Sequence, residues 1–152
     1  IGDGGHAKVI KSFYSGDGTI IAIGDNAKRR QVAFENEGMR PAIVYGVAIH
    51  PSAIVASSAI IGDGTVIMAG AVVQAGAHIG KHCIINSCAS ADHDCIIGDY
   101  AHIAPGAHLC GNVHVGEGTL VGVGVGIAPG CKIPAWTLVR ARRLEMEPLY
   151  AV

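Results

Sequence analysis

The stretch "IGDGTVIMAGAVVQAGAHIG" (Ile61 to Gly80) repeats itself every six residues. Ile61, Ile67, Val73 and Ile79 fall on one beat, and Thr65, Ala71 and Ala77 fall four residues after the first three. The rhythm extends in both directions. Stepping by six from Ile49 to Ile133 gives fifteen positions, and all but Ala91 are Ile, Val or Leu. The position four residues later is small nearly throughout, and Cys83, Cys95 and Cys131 occupy it. An internal repeat of this length marks a solenoid, and a hexapeptide period marks a parallel β-helix. Each hexapeptide is read as one short strand and a bend, its aliphatic side chain stacking inward on the next coil. Gly62, Gly80, Gly98 and Gly116 recur every 18 residues. That beat predicts three strands per coil, with glycine at a sharp corner of unusual backbone angles.

Composition agrees with such a core. Half of the 152 residues are apolar, only 5% are aromatic, and 22 are glycine, about twice the usual share. The formal net charge of −1 gives no electrostatic footprint for nucleic acid or an anionic membrane. Lys28-Arg29-Arg30 and the Arg140, Arg142, Arg143 cluster read as solvated faces. No run of about 18 apolar residues exists and no signal peptide is visible, so neither a membrane span nor export is expected. Five cysteines without a CxxC pair read as reduced thiols, hence a cytoplasmic protein.

Residues 1–48 lack the period. "GDGGHAKVIKSF" is a glycine turn followed by helical spacing, "TIIAIG" a buried strand, "DNAKRRQVAFENEGM" a capped amphipathic helix, and "PAIVYGVAI" another strand. This predicts a small βαβ, Rossmann-like substrate-binding domain over 1–48, the β-helix over 49–137, and an unassigned tail over 138–152. Glycine turns near a helix start expose N–H groups that suit phosphate, although a plain turn reads equally well. His6 inside that turn either touches a ligand or caps the helix. The chain opens mid-motif without Met, so residues are expected to be missing ahead of it.

"ADHDC" (Ala91 to Cys95) carries the chemistry. His93 lies on the outward side, flanked by Asp92 and Asp94. One reading is a surface histidine; the other is a general base whose basicity and tautomer a carboxylate sets. His102, His108 and His114 lie on three successive faces and cannot converge within one chain. His78 and His114 share a face about 10 Å apart, too far for a shared zinc. A metal site between subunits stays open. The glycine-rich "VGVGVGIAPG" (Val121 to Gly130) reads either as easy corners or as bare backbone for an extended ligand.

The opening "GGHAKV", then "AIGDN", the unbroken hexapeptides and "DHDC" followed by "IGDYAHIAPGA" resemble bacterial left-handed β-helix acetyltransferases. The subgroup is that acting on nucleotide-linked 4-amino sugars, with the sialic-acid O-acetyltransferases. The resemblance covers residues 1 to about 133. It implies a left-handed coil, a homotrimer with active sites between subunits, acetyl-CoA as co-substrate and a UDP- or GDP-linked amino sugar as acceptor. Matched to the family's motifs, His93 is the general base and Asp94 its acidic neighbour. His102, Gly111 and Val123 match contacts to the cofactor. Gly4, Gly5, His6, Asn26 and Asn86 match contacts to the sugar nucleotide. The acidic pair expected between Phe13 and Thr19 is absent, and the sequence after Ile133 departs from the family's tail. Cys95 is read as inward packing, so direct transfer without an acyl-enzyme is expected. Rival classes are a zinc hydratase on the same coil, a non-enzymatic sugar-nucleotide-binding solenoid, and a hydroxyl in place of the amine as acceptor.

Overall fold

The structure is a computed structural model and describes residues 2–39 and 43–140. Two helices come first, α1 (Gly5–Lys11) and α2 (Asn26–Met39). Sixteen two-residue strands, β1 to β16 in chain order, then recur every six residues from Ala48–Ile49 to Leu138–Val139. They form three parallel sheets. Sheet I holds β1 (Ala48–Ile49), β4 (Val66–Ile67), β7 (Ile84–Ile85), β10 (His102–Ile103), β13 (Leu120–Val121) and β16 (Leu138–Val139). Sheet II holds β2 (Ile54–Val55), β5 (Val72–Val73), β8 (Ser90–Ala91), β11 (His108–Leu109) and β14 (Gly126–Ile127). Sheet III holds β3 (Ile60–Ile61), β6 (His78–Ile79), β9 (Ile96–Ile97), β12 (His114–Val115) and β15 (Lys132–Ile133). Every pair is offset by one coil, as in Ile67↔Ile85 and Ile85↔Ile103. The expected three-sided solenoid is what forms.

From β2 onward the second residue of each strand points inward; at β1 it is Ala48 that is buried and Ile49 that is exposed. Ile67, Val73, Ile79, Ile85, Ala91, Ile97, Ile103, Leu109, Val115 and Val121 are buried in one continuous core. Ala71, Ala77, Cys83, Ala89, Cys95, Ala101 and Ala107 fill the small positions beside them. Thr65 fills another, and its buried hydroxyl donates to the Gly80 carbonyl at 2.7 Å while accepting from the Cys83 N–H at 2.9 Å. Burial pushes the Cys83 thiol up to about 12, which fits a packing role. Cys131 differs from expectation. It is exposed, because no further coil packs over it among the described residues.

The turns follow their own period of six. Residues 64, 70, 76, 82, 88, 94, 100, 106, 112, 118, 124, 130 and 136 all have φ between 53° and 75°. With hydrogen bonds such as Ala89 N–H to the Asn86 carbonyl at 3.0 Å, these are type II turns, whose third residue needs positive φ. Glycine takes that position in only seven of the thirteen.

Gly62, Gly80, Gly98 and Gly116 serve a different purpose from the one their spacing suggested. None has positive φ. They stand where successive coils come closest: a Cβ on Gly62 would lie 2.6 Å from the Gly80 carbonyl carbon, and one on Gly98 2.6 Å from the Glu117 nitrogen. Space, not backbone angle, requires glycine there.

At the C-terminal end the coil runs past residue 137, since β16 pairs with β13 through Leu120↔Leu138 and Val121↔Val139. Val139 is one more step of six from Ile133. The rest of the expected tail, 141–152, lies outside the described residues.

The front segment is simpler than the βαβ unit expected of it. α2 forms as read, with Asp25 Oδ1 accepting the Lys28 N–H at 2.7 Å as its cap. Among the described residues the two expected strands are joined by an isolated parallel bridge, Thr19↔Tyr45; the first forms no strand, and the second does so only at its end, in β1. Ile20 and Ile21 are buried all the same, by packing on sheet I. Ile10, Ile20, Ala48, Val66 and Met68 form one cluster there, and Ile21, Ala33 and Tyr100 another. The segment is a cover over sheet I.

Candidate active site

His93 and Asp94 occupy the middle of the turn that joins sheet II to sheet III. The positive φ of Asp94, 59°, folds its carboxylate back onto the preceding side chain. His93 Nδ1 lies 2.9 Å from Asp94 Oδ2, and both side chains are more than half exposed. That hydrogen bond, reinforced by the Asp94 and Asp92 charges, raises the His93 pKa. Donation from Nδ1 leaves the lone pair on Nε2. Gly111, one coil on, lies directly beneath: a Cβ there would run into His93 Nε2. The imidazole therefore rests on the bare backbone of Gly111, and among the described residues Nε2 has no hydrogen-bond partner.

The other predicted residues gather elsewhere. His102 on β10 is buried under the front segment. Its Nε2 lies 3.0 Å from Asn86 Nδ2. Burial, with the charges of Arg29 and His6, lowers its pKa to about 4, so the ring is neutral. The His6 ring stands edge-on to it, centroids 5.8 Å apart. No side chain caps α1, which removes that role for His6. Its Nε2 is buried without a partner, and burial lowers its pKa. A cavity of about 270 Å³ opens beside these rings, lined by Gly4, Gly5, His6, Gly24 and Lys28 among others. A smaller one of about 90 Å³ lies between Gly5, His6, Asn86 and Ser87. Gly4 and Gly5 face open space.

Asn26 is committed within the protein. Its Nδ2 donates to the Gly118 carbonyl at 3.0 Å, and its Oδ1 accepts from Arg29 at 2.8 Å. Val123 is exposed at the turn from sheet I to sheet II, between Gly122 and Gly124.

One chain thus presents two separate groups. His93, Asp94 and Gly111 stand at the corner between sheets II and III. Asn86 and Val123 stand at the corner between sheets I and II, with His6 and His102 behind. Strand β8 (Ser90–Ala91) stands between these two corners, so the groups sit at opposite ends of one face of the coil.

Sequence reasoning missed two residues here. Lys28 supplies a cation to the larger cavity. Arg29, read as part of a solvated cluster, is 1% exposed. Only the phase of α2, which turns the middle residue of Lys28-Arg29-Arg30 toward the coil, could have revealed it.

Residues 58–90 and 94–129 match the bacterial transferase hexapeptide (six repeats) family model. The acetyltransferase domain of PglB from Neisseria gonorrhoeae FA1090 is 36% identical with a TM-score of 0.77, over 87% of this chain. The chain spans 64% of that protein's length. The same domain in complex with acetyl coenzyme A is 32% identical, TM-score 0.69, covering 86% of this chain and 89% of that one. A variant of GDP-perosamine N-acetyl transferase from Caulobacter crescentus, in complex with CoA and GDP-perosamine, is 32% identical with a TM-score of 0.83. That match covers 90% of this chain and 82% of the other. Repeat, turn geometry and these similarities agree: the chain belongs to the hexapeptide-repeat acetyltransferases of the left-handed β-helix class, the family of the nucleotide amino-sugar N-acetyltransferases.

Proposed function

We propose that the protein transfers the acetyl group of acetyl-CoA to the 4-amino group of a nucleotide-linked sugar, with His93 as general base. The observation that carries this reading is the His93–Asp94 pair, held at 2.9 Å with Nε2 free above Gly111. The amine nitrogen attacks the thioester carbonyl. A C–N bond forms, the C–S bond breaks, and coenzyme A leaves as the thiol. His93 Nε2 takes a proton from the nitrogen and returns one to the departing sulfur. Asp94 stabilises the imidazolium that forms in between. Main-chain N–H groups along the groove face the oxyanion, each worth a few kcal/mol to the transition state. Cys95, buried and with its pKa raised, is not a nucleophile, so transfer is direct.

The front segment receives the acceptor. Its glycine turn (Gly4, Gly5), with Lys28 at hand, takes the pyrophosphate, and His6 and Asn86 approach the sugar. His102 acts by holding Asn86, since it is buried and its Nε2 is engaged by that side chain. Gly111 and Val123 flank the pantetheine arm of the acetyl donor. The segment over residues 1–48 is the reduced counterpart of a Rossmann-like unit, and it works as a sugar-nucleotide cover, not an independent domain. Because the two groups of site residues lie on different corners, the working site forms between two copies, and a closed ring of three gives each copy one complete site. Among the described residues no helix is long and apolar enough to cross a membrane.

A panel of UDP- and GDP-linked 4-amino sugars, incubated with acetyl-CoA and followed by release of free thiol, tests the reading. The expected result is thiol release that depends on the 4-amine. Equal rates with the amine and with its 4-hydroxyl analogue, or no turnover with any member, would overturn it. His93→Ala is expected to lower the rate by about 10² to 10⁴ while leaving assembly unchanged.

A further inference from the structure

We propose that Arg29 is a positioning residue of this reaction: it locks the Gly24–Asn26 loop onto three successive coil corners and thereby orients the His102 ring that holds Asn86. The inference rests on the acetyl-transfer reading above for its kinetic consequence, though not for its structural one.

The guanidinium is buried, yet its hydrogen bonds all go to neutral oxygens. Nε donates to the His82 carbonyl at 2.7 Å, and one terminal nitrogen to the Tyr100 carbonyl at 2.7 Å and Asn26 Oδ1 at 2.8 Å. The other donates to the carbonyls of Ile23 at 2.8 Å and Gly24 at 3.2 Å. Asn26 continues the series by donating to the Gly118 carbonyl at 3.0 Å. His82, Tyr100 and Gly118 are 18 residues apart and hold the same positive-φ turn position in consecutive coils. That conformation turns their carbonyls away from the ladder between coils. The Arg29–Asn26 pair reads this column of carbonyls, one per coil.

The far end of the same network reaches the site. The Gly24 carbonyl that Arg29 holds fixes the residue against which the His6 ring packs, and that ring stands edge-on to His102, centroids 5.8 Å apart. His102 Nε2 then accepts from Asn86 Nδ2, and Asn86 Oδ1 accepts the Ser87 N–H at 2.8 Å. Gly24 also sets the height of His6, whose Cε1 stands 3.2 Å from where a Gly24 Cβ would be. A lysine carries the charge but donates from one point, whereas this network needs a planar fork with donors on three nitrogens. The positive charge nearby further favours neutral imidazole at His6, His82 and His102.

The test uses the full chain with ¹⁵N-labelled histidine and two variants, Arg29→Ala and Arg29→Lys. In the parent, His102 is expected as the Nδ1–H tautomer, with Nε2 as acceptor. Arg29→Ala is expected to shift His102 away from that tautomer. Its kcat should fall about 10²-fold, the cost of a small misplacement, with the KM for acetyl-CoA little changed. Guanidinium chloride at non-denaturing millimolar concentration should restore part of the rate. Should Arg29→Ala fail to fold, Arg29→Lys decides by the same tautomer and kcat readouts. Unchanged His102 resonances, or a kcat within twofold of the parent, overturns the proposal. The His102 spectrum is recorded without substrate, so it separates failure of this inference from failure of the acetyl-transfer reading.

Discussion

His93 is an exposed imidazole whose chemistry is set by one neighbour and one absence. Asp94 raises its pKa by accepting from Nδ1, and Gly111 leaves room for Nε2. The proposed role as general base requires the neutral ring, so kcat/KM is expected to rise with pH through the His93 pKa. Asp94→Asn removes the carboxylate and lowers that pKa. The acid limb of the profile is therefore expected to move to lower pH while the plateau falls, the weaker base being the poorer catalyst. An unmoved limb would mean that another group titrates. Gly111→Ala should push the ring aside and lower kcat with little loss of stability, which thermal unfolding and steady-state rates check together. The DHD triplet made His93 and Asp94 legible in the sequence, because paired acids around a histidine stand out in a chain this poor in charge. Arg29 was illegible for the opposite reason: among Lys28 and Arg30 it looked like any surface cation. Asn26 and His102 stand out in the sequence as polar residues, but their hydrogen-bond partners, Gly118 and Asn86, are visible only in three dimensions.

Among the elements, each strand contributes one inward side chain to a stack, and its loss should be felt locally. Ile103 is fully buried between Ile85 and Val121, so Ile103→Ala is expected to cost about 2–5 kcal/mol in chemical denaturation. Gly98→Ala forces a Cβ against the Glu117 backbone and should cost about 1–3 kcal/mol, more than an alanine in open space at Gly126. The join between cover and coil has its own pH signature. Burial first, then Arg29, lowers His82 to about 4, and burial lowers His102 to about 4. Both are neutral in the fold and protonate more readily in the unfolded chain. Their contribution is complete above the ordinary histidine value of about 6.5 and is lost as pH falls toward 4. Hydrogen exchange in α2 should therefore accelerate across that window, ahead of exchange in the coil. Uniform acceleration of both would contradict this. The coil was legible because its period of six is carried by the side chains themselves. The cover was not: "TIIAIG" has a strand's composition, yet among the described residues it forms no strand, and its Ile20 is buried against Ala48 and Val66 of sheet I.

At the scale of the whole molecule, the coil holds the two groups of candidate site residues on different corners, and the proposed site needs both. The period predicts that separation, since it assigns Asn86 and His93 to turns on either side of β8. Only the structure shows the front segment seated over the Asn86 corner. The proposed ring of three copies would bring unlike corners together, and sedimentation is then expected to give a mass near three times the 15.5 kDa chain. A monomer that turns over at full rate would contradict the shared site. The most direct test mixes two variants that each lack one half, His93→Ala and Asn86→Ala, by co-expression. Each alone should be nearly inactive. Random mixed rings should recover activity, with about a quarter of their sites pairing an intact His93 from one copy with an intact Asn86 from the next. A mixture no more active than its parents would contradict a site built between copies.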